Sequence, residues 1–199
     1  MENLKIYSAI DKLNNKIEVK TVNNFNDFAD TLAVFRGFPY YEMLPVEDIK
    51  EEFSLYQDKG IALGAYVNDK IVGLNCIVYE SEDKHSLAFV DPKKVAYYSG
   101  LAVKEECRGL GIGKILVRET DKFLQDLKMF DYEYARILLT GSMSEGIFRL
   151  NGFEDASVQD GLIVDEVGYV RSNTLEYAPD KRKYMVKKLT LDAPNYFRR

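Results

Sequence analysis

Between Leu101 and Val117 the chain reads Leu-Ala-Val-Lys-Glu-Glu-Cys-Arg-Gly-Leu-Gly-Ile-Gly-Lys-Ile-Leu-Val, and this stretch constrains the fold more than any other. The apolar run Val95 to Val103 predicts a strand, and Ile112, Ile115, Leu116, Phe123, Leu124 and Leu127 recur at the spacing of an inward helix face. Between them lies Arg108-x-x-Gly111-x-Gly113. Glycines let successive backbone N–H groups converge without Cβ obstruction, and a helix N-terminus adds unsatisfied donors and a positive dipole end. With Arg108 as a bidentate donor, such a turn is suited to a phosphate or pyrophosphate. A P-loop needs Ser or Thr after Gly-Lys, whereas Gly113-Lys114 is followed by Ile115. A dinucleotide fold would place the turn after the first strand of a βαβ unit, not in mid-chain.

The rest of the chain predicts a mixed α+β fold without repeats or linkers. Residues 17–22 alternate as a strand. Phe25, Phe28, Ala29, Leu32 and Ala33 fall at helical spacing, and a second helix runs from Pro45 to Gly60. The runs 61–67 and 70–79 form strands joined by Asn68-Asp69, a hairpin signal. A charged connection, Glu80 to Lys94, carries His85. A short strand from Ala135 to Thr140, a short helix from Ser144 to Leu150, and strands from Phe153 to Leu191 with a polar excursion near 172–180 complete the reading.

Composition narrows the chemistry. The 199 residues carry 27 Lys+Arg and 32 Asp+Glu, a net charge of −5, which argues against nucleic-acid or anionic-membrane partners. One His and two Cys, Cys76 and Cys107, give no zinc cluster, so no metal is expected. With no apolar leader and no run of about 18 apolar residues, the reading is a cytoplasmic protein. Cys76 reads as a buried small hydrophobe. Cys107 sits where a helix N-terminus could acidify a thiol, but bystander is the stronger reading.

Leu101–Val117 resembles the acyl-CoA-binding motif of the GNAT (GCN5-related N-acetyltransferase) superfamily, whose pyrophosphate loop reads Arg/Gln-x-x-Gly-x-Gly/Ala. Lys70-Ile71-Val72-Gly73 is similar to that family's third strand, Leu150-Asn151-Gly152-Phe153 to its corner after the fourth helix, and Tyr184 to Leu189 to its closing strand. The resemblance implies a single domain over residues 1–199, with a core of about 17–191: a central, largely antiparallel twisted sheet flanked by helices. It further implies acetyl-CoA as co-substrate, gripped by Arg108, Gly109, Leu110, Gly111, Ile112, Gly113 and Lys114. The backbone of Leu101, Ala102 and Val103 would pair with the pantetheine arm. The implied activity is transfer of an acetyl group to a primary amine of a small molecule or peptide by direct attack, and the resemblance allows a homodimer. A non-catalytic acyl-CoA-binding regulatory module of the same fold is the alternative.

The family's usual proton donor to the leaving thiolate is a Tyr, and that position here is Phe148. A thiol pKa of about 8.5 puts the thiolate roughly 2 kcal/mol uphill at neutral pH, so the missing hydroxyl weakens catalysis without excluding it. Ser142 and Ser144, on the same turn, are the substitute donors. Tyr97 stands near the position of the family's carboxylate base and could relay a proton through water, though a packing role is the stronger reading. His85 is the only imidazole, in a charged loop. Phe38, Tyr40 and Tyr41 fall where the superfamily shapes its acceptor pocket. Seven acidic residues and one basic residue, Arg171, between Glu154 and Asp180 favour a cationic acceptor and equally fit a solvated acidic face.

Overall fold

In the computed structural model, residues 6–35, 46–79, 86–87, 91–138, 143–155, 163–165, 168–170 and 182–192 are described. Their elements are β1 (Tyr7–Ile10), β2 (Lys16–Thr21), α1 (Phe25–Phe35), α2 (Val46–Asp58), β3 (Gly60–Val67), β4 (Lys70–Tyr79), β5 (Ser86–Leu87), β6 (Val95–Val103), α3 (Ile112–Leu127), β7 (Tyr132–Leu138), α4 (Met143–Leu150), β8 (Glu154–Asp155), β9 (Ile163–Asp165), β10 (Gly168–Val170) and β11 (Arg182–Lys188). Eight strands hydrogen-bond in the order β1-β2-β3-β4-β6-β7-β11-β8, and β10-β9-β5 form a small second sheet. The pairs β1–β2, β2–β3, β7–β11 and β11–β8 are antiparallel, and β6–β7 is parallel. The mixed, largely antiparallel sheet with helices is therefore the architecture expected. Contacts divide the chain into two compact units, Met1–Ile77 with Gly100–Thr120 and Val78–Ser99 with Asp121–Arg199.

In the first unit, local chemistry starts and stops the elements. Asn24 Oδ1 accepts the N–H of Asn26 at 2.8 Å and so caps α1. Asn68 and Asp69 both have positive φ (48° and 61°), the backbone of a two-residue hairpin loop, as their sequence predicts. β1 precedes the expected core. It exists because Asp11 closes the turn to β2, accepting the N–H groups of Leu13 at 2.8 Å and Asn15 at 2.9 Å. α2 ends at Asp58, and Gly60 opens β3 instead of closing the helix.

β4 is buried from Ile71 to Val78, so both its faces are covered and its sequence is a continuous apolar run. Gly73 faces α3: a Cβ there would stand 3.0 Å from the Ala102 carbonyl oxygen and 3.0 Å from Leu116. Asn75, on the same face, donates to Thr120 Oγ at 2.8 Å. Helix spacing anticipates Ile112, Ile115, Leu116 and Leu124 as inward residues of α3, and all four are buried. Phe123 and Leu127 are half-exposed, and the polar Glu119, Thr120 and Asp121 are buried instead.

In the second unit, β7 begins at Tyr132, three residues earlier than its apolar pattern suggests, because Tyr132 and Tyr134 supply buried aromatic bulk. β11 lies antiparallel to β7, with Lys187 directly opposite Glu133. Phe148 of α4 meets Phe153 and Tyr98 edge-on at ring-centroid distances of 4.9 Å and 5.3 Å. β5, within the segment read as a loop, pairs with β9.

Because the atom nearest a Cβ at Gly73 is backbone, the clash cannot be relieved by a rotamer change. Gly73→Ala is expected to lower stability by about 1–3 kcal/mol, measured by urea denaturation. An unchanged midpoint would show that β4 and β6 tolerate wider spacing.

Candidate functional site

The strand-to-helix turn of the first unit is built from backbone. After β6 the chain takes one turn of 3-10 helix, Glu105–Cys107, closed by Cys107 N–H to the Lys104 carbonyl at 2.9 Å and Arg108 N–H to the Glu105 carbonyl at 3.1 Å. Gly109 (φ +78°) and Gly111 (φ +89°) then adopt left-handed backbone, which L side chains disfavour. A Cβ at either would meet nothing within 4 Å, so the side of the loop where side chains would project is open. The helical ladder starts with Ile115 N–H to the Gly111 carbonyl at 3.0 Å. The N–H groups of Ile112, Gly113 and Lys114 therefore fall in the first turn, where helix geometry supplies no acceptor.

Leu110 is fixed from outside the loop by Lys12 N–H, which donates to its carbonyl at 3.2 Å. Arg108 is exposed, and its Nε donates to the Val103 carbonyl at 3.3 Å, so the guanidinium is tethered beside the end of β6. Lys104 N–H donates to the Val72 carbonyl, and its ammonium bonds Asp30 of α1. Together these place open donors, one guanidinium and a helix N-terminus around one exposed loop, a donor set suited to the pyrophosphate of CoA. Cys107 is no acidified thiol: burial and the charge of Glu106 push its pKa up.

In the same unit Leu32, Glu52, Tyr56, Leu74, Cys76, Gly100 and Ala102 line a narrow cleft that is too tight in this conformation to seat a water molecule. Glu52 is half-buried, and the Tyr56 hydroxyl donates to its Oε1 at 3.4 Å. Sequence reasoning missed Glu52, because on the amphipathic α2 it reads as one more exposed acid.

The remaining candidates lie in the second unit or outside the described residues. Tyr97 is 8% exposed and stacks on Tyr134 with centroids 4.7 Å apart, a packed ring. Ser144 is half-buried in the first turn of α4, while Phe148 is buried in the aromatic cluster with Tyr98 and Phe153. Ser142, Phe38, Tyr40, Tyr41 and His85 lie outside the described residues, as does most of the acidic stretch from Glu154 to Asp180. Among the described residues no group of three or more His, Cys, Asp or Glu could hold a metal, and no helix is long and apolar enough to cross a membrane.

Since Phe148 is buried on aromatic neighbours, Phe148→Tyr puts a hydroxyl among rings. The change is expected to cost about 1–3 kcal/mol of stability, read from the thermal midpoint. No loss would mean that the hydroxyl reaches a polar partner.

The family described as "Acetyltransferase (GNAT) family" matches residues 25–140, more than half the chain. No curated protein matches by sequence. Among solved structures, the chain is similar to the ribosomal-protein-S18-alanine N-acetyltransferase of Escherichia coli at 12% identity and TM-score 0.60, over 90% of this chain and 97% of that one. It is similar to a Salmonella typhimurium protein described as an acetyltransferase with its cofactor acetyl-CoA, at 13% identity and TM-score 0.62, over 89% and 96%. An uncharacterised protein of Bacillus halodurans gives 14% identity and TM-score 0.64, over 94% and 92%.

Proposed function

Because the chain belongs to the acetyltransferase (GNAT) family and is an N-acetyltransferase, we propose that it transfers the acetyl group of acetyl-CoA to a primary amine on a cationic small molecule or peptide, by direct attack. The observation that carries this reading is the open Gly109–Gly111 turn at the start of α3, with Arg108 tethered beside it. Arg108 and the backbone of Gly109, Leu110, Gly111, Ile112, Gly113 and Lys114 hold the pyrophosphate. The backbone of Leu101, Ala102 and Val103 aligns the pantetheine arm and its thioester. We read the chain as one cytoplasmic acetyltransferase domain.

The chemistry follows from proton and electron balance. An ammonium must lose a proton before its nitrogen lone pair can attack the thioester carbonyl carbon. As the C–N bond forms and the C–S bond breaks, the CoA thiolate leaves and takes up a proton, which recovers about 2 kcal/mol at neutral pH. Ser144 or Ser142, the substitute donors of the sequence, takes the donor's role in this reading, since Phe148 has no hydroxyl. Tyr97, held by its stack on Tyr134, serves as a wall and relays a proton only through water. On the acceptor side, Glu52 supplies a carboxylate to an ammonium from a cleft whose other walls are mostly apolar. Phe38, Tyr40 and Tyr41 are the aromatic acceptor residues of the same reading.

The deciding experiment is CoA-thiol release from acetyl-CoA against polyamines, aminoglycosides, amino acids and lysine peptides. Turnover with an amine is expected, and tight CoA binding with no turnover for any acceptor would favour the binding module. Arg108→Ala is expected to weaken CoA binding by about 1.5–3 kcal/mol, the worth of charged hydrogen bonds. Unchanged affinity by calorimetry would remove the loop from the site. Glu52→Gln is expected to raise KM for a cationic amine about 10-fold or more while leaving KM for acetyl-CoA unchanged. Equal effects on both would assign Glu52 to the fold instead.

A further inference from the structure

Four polar side chains meet inside the second unit. Tyr98 comes from β6, Asp121 from α3, Glu133 from β7 and Lys187 from β11. Tyr98, Asp121 and Glu133 are 4%, 5% and 0% exposed. The Tyr98 oxygen lies 2.9 Å from Asp121 Oδ1 and 3.1 Å from Glu133 Oε2. The Lys187 ammonium bonds Asp121 Oδ2 and stands 3.6 Å from Glu133 Oε1, a buried oxygen with no hydrogen-bond partner.

Proton counting requires one carboxylic hydrogen in this cluster. A phenol has a single O–H and cannot donate to two carboxylate oxygens at once. If both carboxyls were ionised, one short oxygen–oxygen contact would be repulsive, and two negative charges would face one ammonium with almost no water. Asp121 holds the ammonium bond, so Asp121 is the ionised partner. Tyr98 O–H then donates to Asp121 Oδ1, and its oxygen is free to accept. The remaining contacts are satisfied when Glu133 carries a hydrogen and donates it to Tyr98 or to Asp121, whose carboxyl it also bonds. Glu133 Oε1 is then a neutral carbonyl, which tolerates a poor partner far better than a buried charged oxygen does.

We infer that Glu133 is held as a neutral carboxylic acid at neutral pH, in a hydrogen-bonded cluster with Tyr98 and Asp121 closed by Lys187, and that loss of its proton is an alkaline switch that loosens the second unit. On deprotonation the cluster goes from neutral to net negative, and the Glu133–Tyr98 contact turns from a bond into a repulsion. Tyr98 is also the ring against which Phe148 of α4 and Phe153 pack, at 5.3 Å and 5.5 Å, so disturbance of its hydroxyl is delivered to that helix. Burial first, and then the charge of Asp121, raise the Glu133 pKa well above the ordinary carboxyl value, while Lys187 and the Tyr98 bond oppose them. Asp121 too is raised by burial, with the Lys187 charge and the bonds from Lys187, Glu133 and Tyr98 opposing. The charged and titratable groups facing Glu133 are thus Tyr98 from β6, Asp121 from α3 and Lys187 from β11; α4 and the corner after it contribute Phe148 and Phe153, which carry no charge.

The sign of the linkage follows. An acid whose folded pKa is raised contributes stability fully present below the unfolded value of 4.5 and lost as pH rises toward the folded value. For one retained proton the folding constant falls by up to about tenfold per pH unit in that window. The test compares full-length wild type with Glu133→Gln, a neutral isostere, by urea denaturation from about pH 6 to about pH 8. The expected result is that wild type loses folding constant relative to the variant over that range, by at most about tenfold per pH unit. Parallel pH dependence of the two proteins would overturn the inference. Infrared spectroscopy of wild type supplies a second reading that needs no variant. A carboxylic-acid carbonyl band is expected at neutral pH, bleaching reversibly under alkali; its absence at neutral pH would equally overturn it.

Discussion

The chain has to leave a strand and enter a helix between Val103 and Ile112, and that reversal sets the terms for the rest of the first unit. Left-handed backbone at Gly109 and Gly111 is the device that permits it. A side chain at either position would be strained whatever the space around it. The same reversal leaves first-turn N–H groups of α3 facing an open loop. The local constraint on the backbone and the capacity to hold an anion are thus one feature. Gly73 completes it from the neighbouring strand, since only a missing Cβ lets β4 approach the Ala102 carbonyl so closely.

β6 belongs to both units and changes character along its length. Its first four residues are buried and carry the Tyr97–Tyr134 stack and the Tyr98 hydroxyl, while of its last four only Ala102 is buried. The first half behaves as core and the second presents backbone.

The absence of a hydroxyl at residue 148 has a structural side. Phe148, Phe153 and Tyr98 fill a buried aromatic cluster in which the one hydroxyl, that of Tyr98, is already engaged by Asp121 and Glu133. At this position the chain has packing where the family resemblance implies a proton-donating hydroxyl. Ser144, proposed in its stead, is half-exposed on the first turn of α4.

Local features were legible in the sequence. The strand, glycine turn and helix of 95–127, the Asn68-Asp69 hairpin and the α1 pattern each depend on periodicity or on φ at a few neighbouring residues, and the family resemblance rests on these same residues. β1 and β5 were not foreseen, since strands of four and two residues carry too little periodicity to register. Only tertiary structure decided that Asp121 and Glu133 are buried. Each reads as a solvated charge on its own element, and the bond from Lys187 and the Tyr98 hydroxyl arrive from strands far away in sequence. Glu52 likewise became a cleft residue only when α2 was set beside β4. Backbone conformation is determined by near neighbours, whereas the protonation and partners of a buried charge depend on which distant strands the register brings to it.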